Sequence, residues 1–343
     1  MIEGHGDDSY RYEREIELNF SSNIYSHADL GNLYAHLRGY LDSITSYPAP
    51  EAYTLEAELA TRLKINKESV LVTNGATEAI YLIAHAYQGL HAQVLQPTFR
   101  EYADACTMNG CKVSALYQLP SEREHYRLDE GVGMLWLCNP NNPTGNLLDK
   151  RYLETLVKAN PQVLFVVDQS YEDFVLQPVF SAAEVVEYDN LLLLHSMTKR
   201  YCVPGLRLGY ITAAPHLVQQ LRTHKMPWSV NVLAIEAGHY LLQHDIQGLP
   251  KIDAYLREAQ RLRNRLMATG VVDVWETSTH FMLAQLRYGK SSALKDWLAG
   301  ECGILIRDAS NFEGLDGSFF RIAAQDPADN DRLVAAIEEW IRL

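Results

Sequence analysis

The sequence predicts an α/β protein: a mostly parallel sheet covered by helices on both faces, with a smaller α+β part beside it. Three observations lead there. The runs Val163–Asp168 and Leu191–His195 are almost wholly apolar, as strands buried on both faces are. Helical patterns alternate with such runs through the middle of the chain. After about Val230 the alternation gives way to two long helical stretches and then to strands mixed with helices.

In chain order, Ser69–Thr73 reads as a strand and Gly75–Tyr87 as the helix directly after it. Gln93–Gln96 is a strand and Phe99–Asn109 a helix. Lys112–Tyr117 and Met134–Cys138 are strands, Leu148–Ala159 is helical, and Leu208–Thr212 is a further strand. Helices are expected over 230–244 and 249–268, strands near 274–275, 281–286, 304–306 and 319–323, and a closing helix over 327–342. The first 40 residues show little alternation and are expected to join the later part. The predicted division is therefore 41–244 for the large domain, and 1–40 with 245–343 for the small one.

A chain of 343 residues suits one large domain plus a smaller one. The formal net charge of -13 argues against a nucleic-acid partner, because that affinity comes from Lys and Arg on phosphates. A local arginine cluster can still hold a small anion. The five Cys form no CxxC pair, so neither a disulfide framework nor a metal site is expected, and a reducing compartment, the cytoplasm, fits better. The opening residues lack the basic flank and apolar core of a secretory signal. No apolar run approaches the roughly 18 to 20 residues that span a bilayer, so no membrane partner is expected.

The chemistry concentrates in a few segments. Ser196-Met-Thr-Lys199 follows an apolar strand, and Arg207 comes shortly after. Alone, such a lysine reads as a surface residue. With two hydroxyls and a guanidinium close by, the amine can form an imine with an aldehyde cofactor while its neighbours hold a phosphate. Asp168 ends another strand, at the carboxyl edge where α/β sites form. It can cap a helix, or it can keep a cofactor's pyridine nitrogen protonated so that the ring draws electrons. Tyr171, three residues on, can donate to the same cofactor's phenolate oxygen. Asn139-Pro-Asn-Asn-Pro-Thr-Gly145 is a rigid loop that would project the Asn142 amide. Gly75, Ala76 and Thr77 open a helix right after a strand, a ready anion site, whether or not Asn74 also caps it. Phe99 can stack on a flat ring or simply pack. There is no GxGxxG fingerprint, which counts against a dinucleotide oxidoreductase.

Taken together, 139–145, Asp168 with Tyr171, Ser196–Lys199 and Arg207 resemble the class I/II aminotransferase signature in its usual order, and the resemblance runs over nearly the whole chain. It implies a fold-type I pyridoxal 5′-phosphate (PLP) transferase, with a large domain built on a seven-stranded type of sheet and a homodimer sharing its active sites. Lys199 would hold the cofactor as a Schiff base and shuttle the proton. Asp168 would pair the pyridinium; Asn142 and Tyr171 would bond the phenolate oxygen. Gly75, Ala76, Thr77, Ser196, Thr198 and Arg207 would form the phosphate site, Phe99 the stacking face, and Tyr47 would reach the neighbouring subunit's phosphate. A regulator that keeps this fold without activity would need an added DNA-binding segment, and nothing basic flanks the domain.

Within this family, His5-Gly6, Asn19–Ile24, Lys225–Asn231, Gly303–Arg307, Asn311–Asp316 and Phe320–Ala323 are similar to the threonine-phosphate decarboxylases, with histidinol-phosphate aminotransferases as near relatives. That likeness implies a small anionic amino-acid phosphate substrate, its α-carboxylate on Arg321. His5, Asn23 and Arg307 would hold its phosphate or help orient the carboxylate, beside Asn142. Two places depart from the decarboxylase pattern: Asp7 stands where a second glycine is expected, and Gln169-Ser-Tyr171 follows Asp168 where Glu-Ala-Phe is the decarboxylase form, Tyr171 being the aminotransferase-like choice. The reaction branch depends on which Cα bond stands perpendicular to the cofactor ring, and no motif reports that angle.

Overall fold

Seven strands make the central sheet of the computed structural model, which describes residues 7–117 and 126–342. In chain order the strands are β1 (Leu18–Asn19), β2 (Val70–Thr73), β3 (His91–Gln96), β4 (Lys112–Tyr117), β5 (Met134–Cys138), β6 (Leu164–Asp168), β7 (Leu191–Ser196), β8 (Gly209–Ala213), β9 (Val272–Val274), β10 (Phe281–Leu286), β11 (Ile304–Leu305), β12 (Arg307–Asp308) and β13 (Phe319–Ala323). The central sheet runs β2-β8-β7-β6-β5-β3-β4. β8 alone runs opposite to the other six strands.

The apolar runs explain this layer. Every residue of β5 and β6 is buried. Along β7, Leu192 and Leu194 pack on one face of the sheet and Leu191 and Leu193 on the other, the period-2 alternation of a strand with two covered faces. Each fully buried leucine contributes about 2 kcal/mol. The register sets Cys138 beside Asp168, and Asp168 beside Leu194. The carboxyl ends of β5, β6 and β7 therefore lie side by side, where α/β sheets place their sites.

A second sheet, β12-β13-β10-β9, is antiparallel and packs with its own apolar core. The two-residue strand β1 joins β11, so the start of the chain reaches the C-terminal part. The register of β12 and β13 sets Arg307 opposite Arg321.

Several local expectations need correction. The single strand expected near 304–306 is two: β11 pairs with β1, β12 with β13, and the chain changes partner at the fully buried Ile306. Helices Gly31–Arg38, Tyr53–Leu63, Pro215–Arg222 and Ser291–Trp297 were not anticipated. Pro215–Arg222 carried a signal, with proline at its first position and Leu217, Val218 and Leu221 buried on one face. The helix expected from Phe99 begins at Glu101. Lys199 sits inside a short helix, Met197–Arg200, because β7 runs to Ser196.

Candidate active site

At the carboxyl edge of β5–β7 lies a cavity of about 270 Å³, lined among others by Asp7, Ala76, Thr77, Phe99, Tyr102, Asn142, Asp168, Tyr171, Lys199, Arg207 and Arg321. Residues far apart in sequence meet here because three strands end together and two loops fold over them.

One end of the cavity is an anion cradle. The twelve-residue helix Gly75–Ala86 points its first amides at it, and unpaired N–H groups at a helix start favour an anion. Ser196 and Thr198 also line it, their hydroxyls bonded to each other at 2.7 Å. Arg207, itself in the left-handed region (φ 55), donates Nη1 to the Pro204 carbonyl at 3.1 Å and brings Nη2 to 3.5 Å from Thr77 Oγ1. Gly75 has φ +72, and a Cβ on it would lie 2.6 Å from Arg207 Nη2. Only glycine leaves room for the guanidinium there.

Asp168 lies at the cavity floor. Its Oδ2 accepts from Tyr102 Oη at 2.7 Å and its Oδ1 from the Ser170 amide at 2.8 Å. Tyr102 stacks on Trp136 (centroids 5.3 Å apart, 16° between planes), and Phe99 meets Tyr102 edge-on at 5.8 Å. Burial, then the Asp168 charge, raise the Tyr102 hydroxyl well above its ordinary pKa. It therefore stays a donor and holds the carboxylate in place.

The opposite wall is a buried polar network threaded by residues 21–23. Arg321 donates Nη1 to Asn142 Oδ1 and Nη2 to the Ser21 carbonyl. Its Nε has no partner, and no ion pair among the described residues involves it. Lys199 Nζ donates to the Ser22 carbonyl at 2.9 Å. Burial, then the charges of Arg321 and Arg207, lower the Lys199 amine to about 8. Asn23 Nδ2 donates to Tyr171 Oη at 3.0 Å, and burial pushes that phenol up to about 12. A buried guanidinium without a carboxylate is costly, so this wall is built to receive an anion.

The cavity lining thus gathers Ala76, Thr77, Phe99, Asn142, Asp168, Tyr171, Ser196, Thr198, Lys199, Arg207 and Arg321, with Gly75 directly behind. Asn23 is buried against Tyr171 rather than in the lining. Arg307 is also set back. It lies across the strand pair from Arg321, is 5% exposed, bonds Asn311 at 2.7 Å, and is lowered to about 10 chiefly by burial and then by Arg321. Tyr47 is 89% exposed, beside Trp228, and does not line its own chain's cavity. His5 lies outside the described residues. Sequence reasoning missed Tyr102, three residues after Phe99 and in the first turn of the helix that follows it. It also missed His280, which no motif marks. Asp7 was noted only as a departure, yet its carboxylate faces the cavity and accepts from Asn19 Nδ2 at 2.7 Å.

Residues 15–337 match the family model for aminotransferase class I and II. The chain belongs to that family. It is similar in structure to the L-threonine-O-3-phosphate decarboxylase from Porphyromonas gingivalis, with a TM-score of 0.90 and 37% identity over 95% of this chain and 100% of that one. It is 28% identical to the threonine-phosphate decarboxylase of Salmonella typhimurium, covering 93% of this chain and 90% of the relative. It is 30% identical to the histidinol-phosphate aminotransferase of Parabacteroides distasonis, over 85% and 86%. Members of this family bind PLP. The cavity fits it: a cradle that a Cβ at Gly75 would fill, a carboxylate at the floor, and an amine and a phenol between them. No helix of the described residues is long and apolar enough to cross a membrane.

Proposed function

We propose that the chain is a PLP-dependent decarboxylase of L-threonine O-3-phosphate, forming (R)-1-aminopropan-2-yl phosphate. The observation that carries this reading is the pair of buried arginines. Beyond the cradle with Arg207, Arg321 stands in the cavity wall, and Arg307, set back from the lining, lies opposite it on the next strand. Two cationic positions besides the cofactor's own suit a substrate with two anionic groups. The likeness to the Porphyromonas gingivalis enzyme supports it.

The positions of the lining residues support their roles. Gly75, Ala76, Thr77, Ser196, Thr198 and Arg207 hold the cofactor phosphate, Phe99 covers the ring, and Asp168 keeps the ring nitrogen protonated. Asn142 and Tyr171 bond the ring oxygen, and Lys199 is the covalent anchor. When bound, PLP supplies an electron sink conjugated to the substrate's Cα. Arg321 would hold the substrate's α-carboxylate, and Arg307, with His5, would take the substrate phosphate. The carboxylate so held would leave as carbon dioxide, its bonding pair would stay with Cα, and Lys199 would deliver the proton that takes its place there. With a pKa of about 8, its amine is matched to proton transfer near neutral pH.

A second reading, transamination as in histidinol-phosphate aminotransferases, is favoured by Tyr171 in the Asp-Gln-Ser-Tyr run and by the relative of that name. Exposed apolar groups at Leu41, Ile44, Tyr47, Tyr53, Met226 and Trp228 form a surface suited to a second copy of this chain. A homodimer would carry Tyr47 to the partner's cofactor phosphate. We also propose a cytoplasmic enzyme, with the large domain over 41–244 and the small one over 1–40 and 245–343.

The test is an assay on PLP-loaded protein with L-threonine O-3-phosphate, reading carbon dioxide and product mass. Carbon dioxide with aminopropanol phosphate supports decarboxylation. No release, with amino transfer from histidinol phosphate to 2-oxoglutarate, replaces it with the second reading.

A further inference from the structure

We infer that Asn23 and His280 are positioning residues that aim the Tyr171 hydroxyl proton into the cavity. Tyr171 Oη accepts a hydrogen bond from Asn23 Nδ2 at 3.0 Å. A phenol oxygen that accepts on one side must turn its single proton elsewhere. No second partner for Tyr171 Oη is seen among the described residues, and the hydroxyl borders the cavity. The proton is therefore left for the cofactor's ring oxygen.

Asn23 is held for this task by His280. Asn23 is 1% exposed with φ 56, a left-handed backbone that asparagine tolerates better than most residues. Its carbonyl is 3.2 Å from His280 Nε2. A carbonyl can only accept, so Nε2 carries the ring proton and Nδ1, which has no partner, is bare. His280 is fully buried in an aromatic box: Phe174 at 4.0 Å, Tyr255 stacked at 5.1 Å, Phe281 edge-on at 5.3 Å and Tyr171 at 6.3 Å. Burial drives its pKa down to about 3, helped by the charges of Lys199 and Arg321. It stays neutral, so one tautomer serves at all working pH values. The relay runs from His280 Nε2–H to the Asn23 carbonyl, and from Asn23 Nδ2–H to Tyr171 Oη. It spans three segments that sequence keeps far apart, and it makes Asn23 a partner of Tyr171 more than of substrate.

The inference rests on PLP binding at Lys199 but on neither reaction branch. Donation by Tyr171 to the ring oxygen stabilises it when the C=N linkage to Lys199 loses its proton. Losing that donation raises the pH midpoint of the holoenzyme's visible absorbance. Asp7, Asp168, Arg207 and Arg321, the charged groups facing Lys199, are the same in every variant. Asn23→Gly keeps the backbone conformation, removes the amide, and should raise the midpoint by about half to one pH unit, the size of one such hydrogen bond. His280→Leu should move it the same way, and His280→Gln, which keeps a side-chain donor, should move it back. In a Tyr171→Phe background, Asn23→Gly should add nothing. An Asn23→Gly shift that is equal with and without the tyrosine hydroxyl overturns the inference, and it needs no His280 variant to fold. In the apoprotein, nitrogen NMR of His280 should show the Nε2–H tautomer with no titration above pH 5; the other tautomer also overturns it. A clear visible band without decarboxylation would count against the substrate reading alone.

Discussion

The two ends of the cavity are built differently. The phosphate cradle is made of backbone amides, two short hydroxyls and one arginine, all within a few residues of strand ends. The opposite wall is made of side chains from four distant segments: Asn23, Asn142, Tyr171 and Arg321, backed by His280. The cradle is already shaped before anything binds, because sheet and helix fix it. The wall keeps buried polar atoms without partners, Arg321 Nε, Asn23 Oδ1 and His280 Nδ1 among them. Such atoms carry a cost unless a ligand or water meets them. A preformed end suits the constant cofactor, and the unpaired Arg321 Nε at the other end suits the substrate that comes and goes.

Breaking the link between the two ends should have the largest effect. Lys199→Ala should lower kcat by at least about 10³-fold and abolish the covalent visible band. Arg321→Leu should lower kcat/KM by about 10²- to 10³-fold while the cofactor's absorbance persists, since it removes one side of a buried charge contact. A loss of cofactor instead would erase the division between the ends. Arg207→Gln should do the converse, weakening PLP by about 10- to 100-fold in a titration of the apoprotein. At saturating PLP it should leave KM for substrate within about twofold. The smallest expected effect is on pH. The amine attacks only when neutral, and its pKa is lowered to about 8. PLP should therefore add to the apoprotein about fivefold faster at pH 8 than at pH 7, levelling off above that, by stopped-flow absorbance. A rate still climbing tenfold per unit at pH 9 would mean an unperturbed lysine.

The same contrast explains what the sequence made legible. The cradle lies in short contiguous motifs, Asn74–Glu78, Ser196–Lys199 and Arg207, each beside an apolar run that reads as a strand. Lys199, Asp168 and Arg207 could be named from those runs, and the parallel pairing of β6 with β7 and the antiparallel pairing of β7 with β8 bring them together. The wall was harder to read. Asn23 and Tyr171 are 148 residues apart, and a side-chain hydrogen bond across that distance leaves no periodic trace. His280 sits in Thr279-His-Phe281 at the start of a strand, where a buried histidine looks like any polar residue before an apolar run. Tyr102 was readable in principle, three residues after Phe99. The partner switch at Ile306 was not, because two-residue strands fall below any pattern window.

The most direct test of the account is borohydride reduction of the PLP-loaded protein followed by peptide mass spectrometry. The account predicts a pyridoxyl group on Lys199 and on no other lysine. A label on Lys225 or Lys295, or none at all, would contradict it.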